Sequence, residues 1–253
     1  MSTSAPRTLA VVGAAGGVGA TRLSVEAAAL VAAAGHDALV LDANYATQGL
    51  STYVDARLDP DATALAADPD IAVDDAAYPL DAPGDGTLAL APAHAPFGRV
   101  ADASGAEAAE RLSERIDEAA DAYDAVLVDT PPVATNPAVA AVTSADRLAL
   151  VTNPDERGRD ALARERGRLA DVGVDTDAVV VANPSEADAL ADADVAVPEA
   201  DLDPESDAPA VTPADPDDYT RAVASLVERT FAIDDLVPED APGFLAGLRR
   251  RLD

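Results

Sequence analysis

The sequence is 253 residues long, which suits one large domain or two smaller ones, and its lack of cysteine excludes a disulfide scaffold and thiol-ligated metals. It carries 47 acidic and 17 basic residues, all of the latter arginine, for a formal net charge of −30. An acidic, lysine-free chain is typical of a cytoplasm at very high salt, where carboxylates keep a protein solvated and the salt screens their repulsion. The polar start is not a secretory signal and no apolar run reaches the ~20 residues that span a bilayer, so we expect a cytoplasmic protein.

A glycine-rich turn joins the first predicted strand to the first predicted helix. Residues 9–12 are apolar, and Gly13, Gly16, Gly17 and Gly19 follow them. Apolar residues then recur at helical spacing over residues 23–34, where Gly35 ends the pattern. A strand, a glycine loop and a helix in this order aim backbone N–H groups and the positive helix end at one point, which suits a phosphate. A plain glycine turn that lets strand and helix pack closely is the alternative.

Strands and helices are predicted to alternate along the rest of the chain. Short helical segments are predicted at 62–67 and 73–78. The longer helices and the remaining strands follow from their apolar patterns; we predict helices at 106–122, 156–172 and 218–231, and strands at 36–42, 87–92, 125–128, 148–152, 178–182 and 194–197. This alternation predicts an α/β fold, with a mostly parallel central sheet flanked by helices. We expect one domain over residues 1–232 and a tail at 233–253 that contains a short amphipathic helix.

The glycine loop resembles the deviant phosphate loop of the MinD/ParA family of P-loop ATPases, K-G-G-V-G-K-T-T. It matches that pattern at five positions, which are Gly16, Gly17, Val18, Gly19 and Thr21. Ala15 and Ala20 replace its two lysines; in the family, the first reaches the partner's nucleotide across a dimer and the second holds the β- and γ-phosphates. The remaining motifs follow in the family's order, so the chain is identified as a degenerate member, and its composition suggests a haloarchaeal one.

Two aspartates stand at the carboxyl ends of predicted strands, where ligands bind in open α/β sheets. Asp42 follows apolar residues 38–41, and Asp129 follows residues 125–128 and opens the run Asp-Thr-Pro-Pro. Both stretches resemble family segments in which a carboxylate faces magnesium and water. Asn44 replaces the family's second aspartate, which is linked to positioning the attacking water.

The resemblance implies ATP and Mg²⁺ as ligands. Asp42 and Asp129 are then the candidate catalytic residues, and the candidate metal ligands are Thr21, Asp42 and Asp129. The candidate nucleotide-binding residues are Gly16, Gly17, Val18, Gly19, Ala20, Thr21, Arg22, Asn183 and Pro198. In this set Asn183 and Pro198 match family positions that contact or flank the base. Arg22 is the candidate to supply the positive charge that the two missing lysines would have carried.

Three functions follow from these substitutions. We expect a nucleotide-binding pseudo-ATPase or regulatory partner in intracellular positioning or partitioning, because lost charge at a phosphoryl-transfer site costs orders of magnitude in rate. An active ATPase of the same family and an interaction scaffold without nucleotide are the alternatives. A homodimer and a heterodimer with an active relative are the candidate assemblies, and Ala15 in place of the family's dimer-spanning lysine argues against the family's own dimer.

Two charged segments bear on partners. The predicted helix at 156–172 contains five arginines, but its interleaved acidic residues favour pairing along the helix, so we do not expect it to bind nucleic acid. The tail resembles the membrane-targeting helix of MinD proteins. Such a tail would contact a membrane surface through four apolar side chains, which are Phe244, Leu245, Leu248 and Leu252. Docking of the helix on the protein's own surface is the simpler prediction, and binding to a protein partner is a third.

Overall fold

The computed structural model describes residues 5–174, 178–184, 190–200, 208–234 and 236–237. Eight strands lie within them, which are β1 (Thr8–Gly13), β2 (Ala38–Asp42), β3 (Tyr78–Leu80), β4 (Leu88–Ala91), β5 (Ala125–Thr130), β6 (Arg147–Thr152), β7 (Val179–Ala182) and β8 (Val195–Ala196). The helices are α1 (Ala20–Ala33), α2 (Ala62–Ala67), α3 (Phe97–Ala103), α4 (Ala106–Ala122), α5 (Asn136–Ser144), α6 (Glu156–Asp171) and α7 (Asp218–Thr230).

The described strands form one sheet in the order β3-β4-β2-β5-β1-β6-β7-β8. Every neighbouring pair is parallel except β3 and β4 at one edge. The central strands β1, β2 and β5 are buried throughout, as expected for a sheet covered on both faces. The predicted α/β class with a mostly parallel sheet is therefore confirmed.

Helices cover both faces of the sheet, because alternate residues of each strand point to opposite sides. One face packs against α1 and α7, through strand residues such as Leu9, Val40 and Leu127. The other face packs against α2, α4 and α5 at one end and α5 and α6 at the other, through residues such as Leu41 and Leu150. This arrangement fixes the carboxyl ends of β1, β2 and β5 side by side at one edge.

Some local predictions were wrong. The segment 73–78, predicted to be helical, forms only a single 3₁₀ turn, Val73–Ala76, before β3 begins. Tyr78 and Leu80 pair with β4, and Pro79 between them cannot donate the hydrogen bond that would continue a helix. The sequence analysis missed α3 and α5, although Thr135 caps α5 by accepting from the N–H of Ala138.

The predicted tail helix lies outside the described residues, and with it Phe244, Leu245, Leu248 and Leu252. Within the described ranges, every helix is too short or too polar to cross a membrane.

Candidate functional site

The glycine loop leaves β1 and enters α1 through residues 14–19. Gly17 and Gly19 have φ angles of +77° and +84°, a left-handed conformation that side chains rarely adopt. The backbone N–H groups of Gly16, Gly17 and Gly19 donate to no other described residue. They surround the N-terminus of α1, whose partial positive charge adds to theirs, so the loop is built to accept an anion.

Asn183 fixes this loop against the end of β7. Its Nδ2 donates to the carbonyl of Val18 at 2.8 Å, and its own carbonyl accepts from Nδ2 of Asn153 at 2.9 Å. A Cβ added at Gly19 would overlap Asn183 Nδ2, whereas one added at Gly16 would meet nothing within 4 Å. A side chain is therefore accommodated at Gly16 but not at Gly19.

Gly19→Ala should destabilise the protein by about 1–3 kcal/mol, because the left-handed backbone is strained and the Asn183 contact must break. Gly16→Ala is the matched control, which should change stability by less than about 1 kcal/mol. Chemical unfolding of both variants measures the difference. Equal losses in the two variants would show that the loop does not depend on the contact with Asn183.

Asp42 and Asp129 lie next to each other at the ends of β2 and β5, where the sheet register pairs them directly. Both are buried, at 0% and 1% exposure. Asp129 Oδ2 accepts from the hydroxyl of Thr21 at 2.6 Å, and its Oδ1 is a buried oxygen with no hydrogen-bond partner. Asp42 accepts from the backbone N–H groups of Asn44 and Ala93, at 2.7 and 3.1 Å.

Burial sets the acidity of this pair. It raises the pKa of Asp42 to about 8, with the charge of Asp129 adding to the effect and the two backbone hydrogen bonds opposing it. Burial also raises the pKa of Asp129, to about 6, against the opposing hydrogen bond from Thr21. Two adjacent buried carboxylates without a cation are costly to ionise, so the arrangement favours a bound positive charge.

The donor set fits magnesium. The unpartnered oxygen of Asp129 and the adjacent Thr21 hydroxyl are oxygen ligands of the kind that Mg²⁺ prefers. The described residues contain no group of three His, Cys, Asp or Glu side chains that could hold a metal ion. A magnesium site here would therefore need phosphate oxygens and water to complete it, as is usual for Mg²⁺ bound with a nucleotide.

A cavity of about 790 Å³ opens above the loop, within the size range of small-ligand sites. The structure brings all nine candidate nucleotide-binding residues to its wall, which are Gly16, Gly17, Val18, Gly19, Ala20, Thr21, Arg22, Asn183 and Pro198. Asp42 and Asp129 do not line it, although Asp129 accepts a hydrogen bond from Thr21, which does. Asn44 and the three residues after Asp129, which are Thr130, Pro131 and Pro132, also line the wall.

Arg22 is the one cationic side chain among the described residues that line this cavity, and it is already paired. Its Nε donates to Glu26 at 2.6 Å, one turn along α1. Glu26 is fully buried and also accepts from the backbone N–H groups of Ala210 and Val211. Hydrogen bonds from Arg22 to Tyr53 and Tyr219 hold it further. This network ties Arg22 to the protein, so its charge is compensated before any ligand binds.

A family model described as an AAA domain matches residues 6–164, which is more than half of the chain. The chain belongs to the MinD/ParA family of P-loop ATPases. Among curated protein sequences, no significant match was found.

Solved structures of the MinD/ParA family share the whole fold. The septum site-determining protein MinD of Pyrococcus horikoshii OT3, complexed with Mg-ADP, is 19% identical with a TM-score of 0.67, over 96% of this chain and 98% of that one. The cell division ATPase MinD of Pyrococcus furiosus is 21% identical with a TM-score of 0.67, over 88% and 97%. A ParA family ATPase from Chlorobium tepidum TLS is 18% identical with a TM-score of 0.68, over 88% and 99%.

Sequence reasoning missed the residues that surround Arg22 in this MinD/ParA-family chain. Glu26, Tyr53 and Tyr219 come from three separate segments, and only folding brings them together. One signal was readable: Arg22 and Glu26 are four residues apart on a predicted helix, a spacing at which opposite charges pair.

Proposed function

We propose that the chain is a MinD/ParA-like protein that binds a magnesium nucleotide in the 790 Å³ cavity, hydrolyses it slowly or not at all, and acts in intracellular positioning or partitioning. One observation carries the proposal: the loop keeps its anion-binding backbone and the Thr21–Asp129 pair, while Ala15 and Ala20 occupy its two lysine positions.

The retained parts support binding. The N–H groups of Gly16, Gly17 and Gly19 would hold phosphate oxygens at the N-terminus of α1. Thr21 and Asp129 would hold Mg²⁺, which neutralises phosphate charge when bound. Asn183 and Pro198 lie on the cavity wall at the positions that the family uses near the base.

The substituted parts argue against fast hydrolysis. Phosphoryl transfer depends on positive charge placed where negative charge develops in the transition state, and such a charge is worth orders of magnitude in rate. Ala15 and Ala20 supply none, and the guanidinium of Arg22 is compensated by Glu26. Asn44 cannot act as a carboxylate base. The chain can therefore hold a nucleotide with little means to cleave it.

The cellular role extends this proposal. The similar MinD structures are of septum-site and cell-division proteins, and the similar ParA structure is of a ParA family ATPase. A chain that binds nucleotide without turnover would serve such a system as a stable partner, either in a dimer of its own or beside an active relative. The tail would add membrane contact through Phe244, Leu245, Leu248 and Leu252.

Calorimetric titration in multimolar KCl tests the binding part. We expect saturable binding of ATP that tightens with Mg²⁺. Thr21→Val should remove most of the magnesium dependence, because it keeps the shape of the side chain and loses the hydroxyl, while Thr21→Ser should retain it. Binding that is equal with and without Mg²⁺ would contradict the assigned metal site, and no binding at all would leave the scaffold alternative.

A further inference from the structure

A second cavity, of about 660 Å³, lies beside the loop that follows β2, and we propose that it binds a carboxylate group through Arg99. Its wall is formed by residues from three short segments, which are Gln48, Ser51 and Val54, then Ala56, Arg57, Leu58 and Asp59, and then His94, Ala95, Pro96 and Arg99. It shares no lining residue with the nucleotide cavity, so the proposal stands independently of nucleotide binding.

Arg99 lines this cavity and carries an unsatisfied donor. Its Nε is buried and has no hydrogen-bond partner. Neither terminal nitrogen of its guanidinium forms an ion pair or hydrogen bond with another described residue. A buried N–H without an acceptor destabilises the protein, and an oxygen placed beside it removes that destabilisation.

Arg115 shows that burial of Nε alone does not make a site. Its Nε is also buried without a partner. However, its Nη1 pairs with Glu118 at 2.6 Å and its Nη2 donates to the carbonyl of Pro69 at 2.8 Å. The guanidinium of Arg115 is thus engaged at both ends by the protein, whereas that of Arg99, a lining residue of the cavity, bonds to no other described residue.

The charges around the cavity favour a monoanion. Its charged lining groups are two arginines, Arg57 and Arg99, and one aspartate, Asp59, which already pairs with Arg57 at 2.8 Å. Among these three charged groups one positive charge is left uncompensated, in a chain of net charge −30. A carboxylate balances that charge and matches the parallel Nε–H and Nη–H donors along one side of a guanidinium.

The rest of the ligand should be partly apolar. The cavity wall includes Val54, Leu58 and Pro96 beside its polar groups. It is also preformed, because Gln48 bonds to both the carbonyl and the N–H of Ala95, at 2.8 and 3.2 Å.

The side-chain Nε–H resonance of Arg99 reports directly on this site. We would titrate ¹⁵N-arginine-labelled full-length protein with free glutamate, and separately with a capped Leu-Glu-Leu peptide, replacing chloride at constant ionic strength. Arg99→Gln assigns the resonance, and Arg115→Gln is the matched control. We expect the Arg99 signal to shift downfield and saturate, with no comparable shift at Arg115.

The two probes distinguish the source of the carboxylate. Saturation by both, or by glutamate alone, supports a free small carboxylate, and saturation by the peptide alone supports an acidic protein segment. The affinity should be lost in Arg99→Gln and unchanged in Arg115→Gln. No saturable shift with either probe, or equal shifts at Arg99 and Arg115, would overturn the proposal.

Discussion

Asp129→Asn should make the nucleotide-free protein more stable than the unmodified chain at pH 8, by about 3 kcal/mol, while weakening magnesium-dependent nucleotide binding at least tenfold. The folded-state pKa of Asp129 is raised to about 6, against an unfolded value of about 4. The stability that its protonated form contributes is therefore complete below about pH 4 and is lost as pH rises through 6. Each pKa unit of difference corresponds to about 1.4 kcal/mol.

The substitution removes this cost without losing the contact to Thr21, because an asparagine oxygen can still accept from that hydroxyl. It also removes a charge that raises the pKa of Asp42. Binding should suffer because the carboxylate is the candidate magnesium ligand. The carboxylate of Asp129 would thus lower the stability of the nucleotide-free protein and bind the magnesium ion of its ligand. Such a conflict between stability and binding is common at functional sites.

Thermal unfolding in EDTA at pH 5 and pH 8 measures the stability effect. The advantage of Asp129→Asn should be larger at pH 8 than at pH 5. Asp117→Asn, at an exposed position of α4, makes the same change in net charge and should show no such pH dependence. An equal advantage at both pH values, or none, would contradict the assigned ionisation of the buried pair.

Ala20→Lys should tighten binding of the magnesium nucleotide by about tenfold to a hundredfold. Ala20 is the first residue of α1 and lines the cavity beside the free N–H groups of the loop. A lysine here can reach phosphate oxygens, and a hydrogen bond from a charged donor is worth about 1.5–3 kcal/mol. Turnover should rise as well, because the added charge also faces the transition state.

Ala163→Lys is the control for net charge, since Ala163 is exposed on α6 away from the cavity. Calorimetric titration gives the affinity, and phosphate release gives the rate. If Ala20→Lys binds and turns over nucleotide no better than the control, then the missing lysine is not what limits this site.

The fold could be predicted from the sequence because its central strands are continuously apolar and alternate with helices of clear periodicity. Two of the short elements, β3 and α3, could not be predicted in this way, although α2 and β8 were. β3 spans three residues and is held by pairing with β4, which a local pattern does not show. The helix α3 begins without a side-chain cap, so its start leaves no signal in the sequence.

The candidate site was predictable where it depends on backbone and missed where it depends on distant side chains. The glycines, Thr21 and Asp129 stand at fixed points of a strand-loop-helix unit and a strand end. By contrast, the bond from Asn183 to Val18 joins residues 165 positions apart. The ion pair between Arg22 and Glu26 could be predicted from their helical spacing. The hydrogen bonds that residues 210–211 donate to Glu26 could not, because that segment is distant in sequence.

The central claim is that this chain holds a nucleotide without efficiently cleaving it. The most direct test saturates the full-length protein with Mg-ATP in multimolar KCl, at a concentration set by titration, and follows phosphate release from the same sample. We predict saturable binding, with phosphate release no faster than in a matched sample of Asp129→Asn. Steady turnover by the unmodified chain that Asp129→Asn abolishes would contradict the claim and establish an active ATPase.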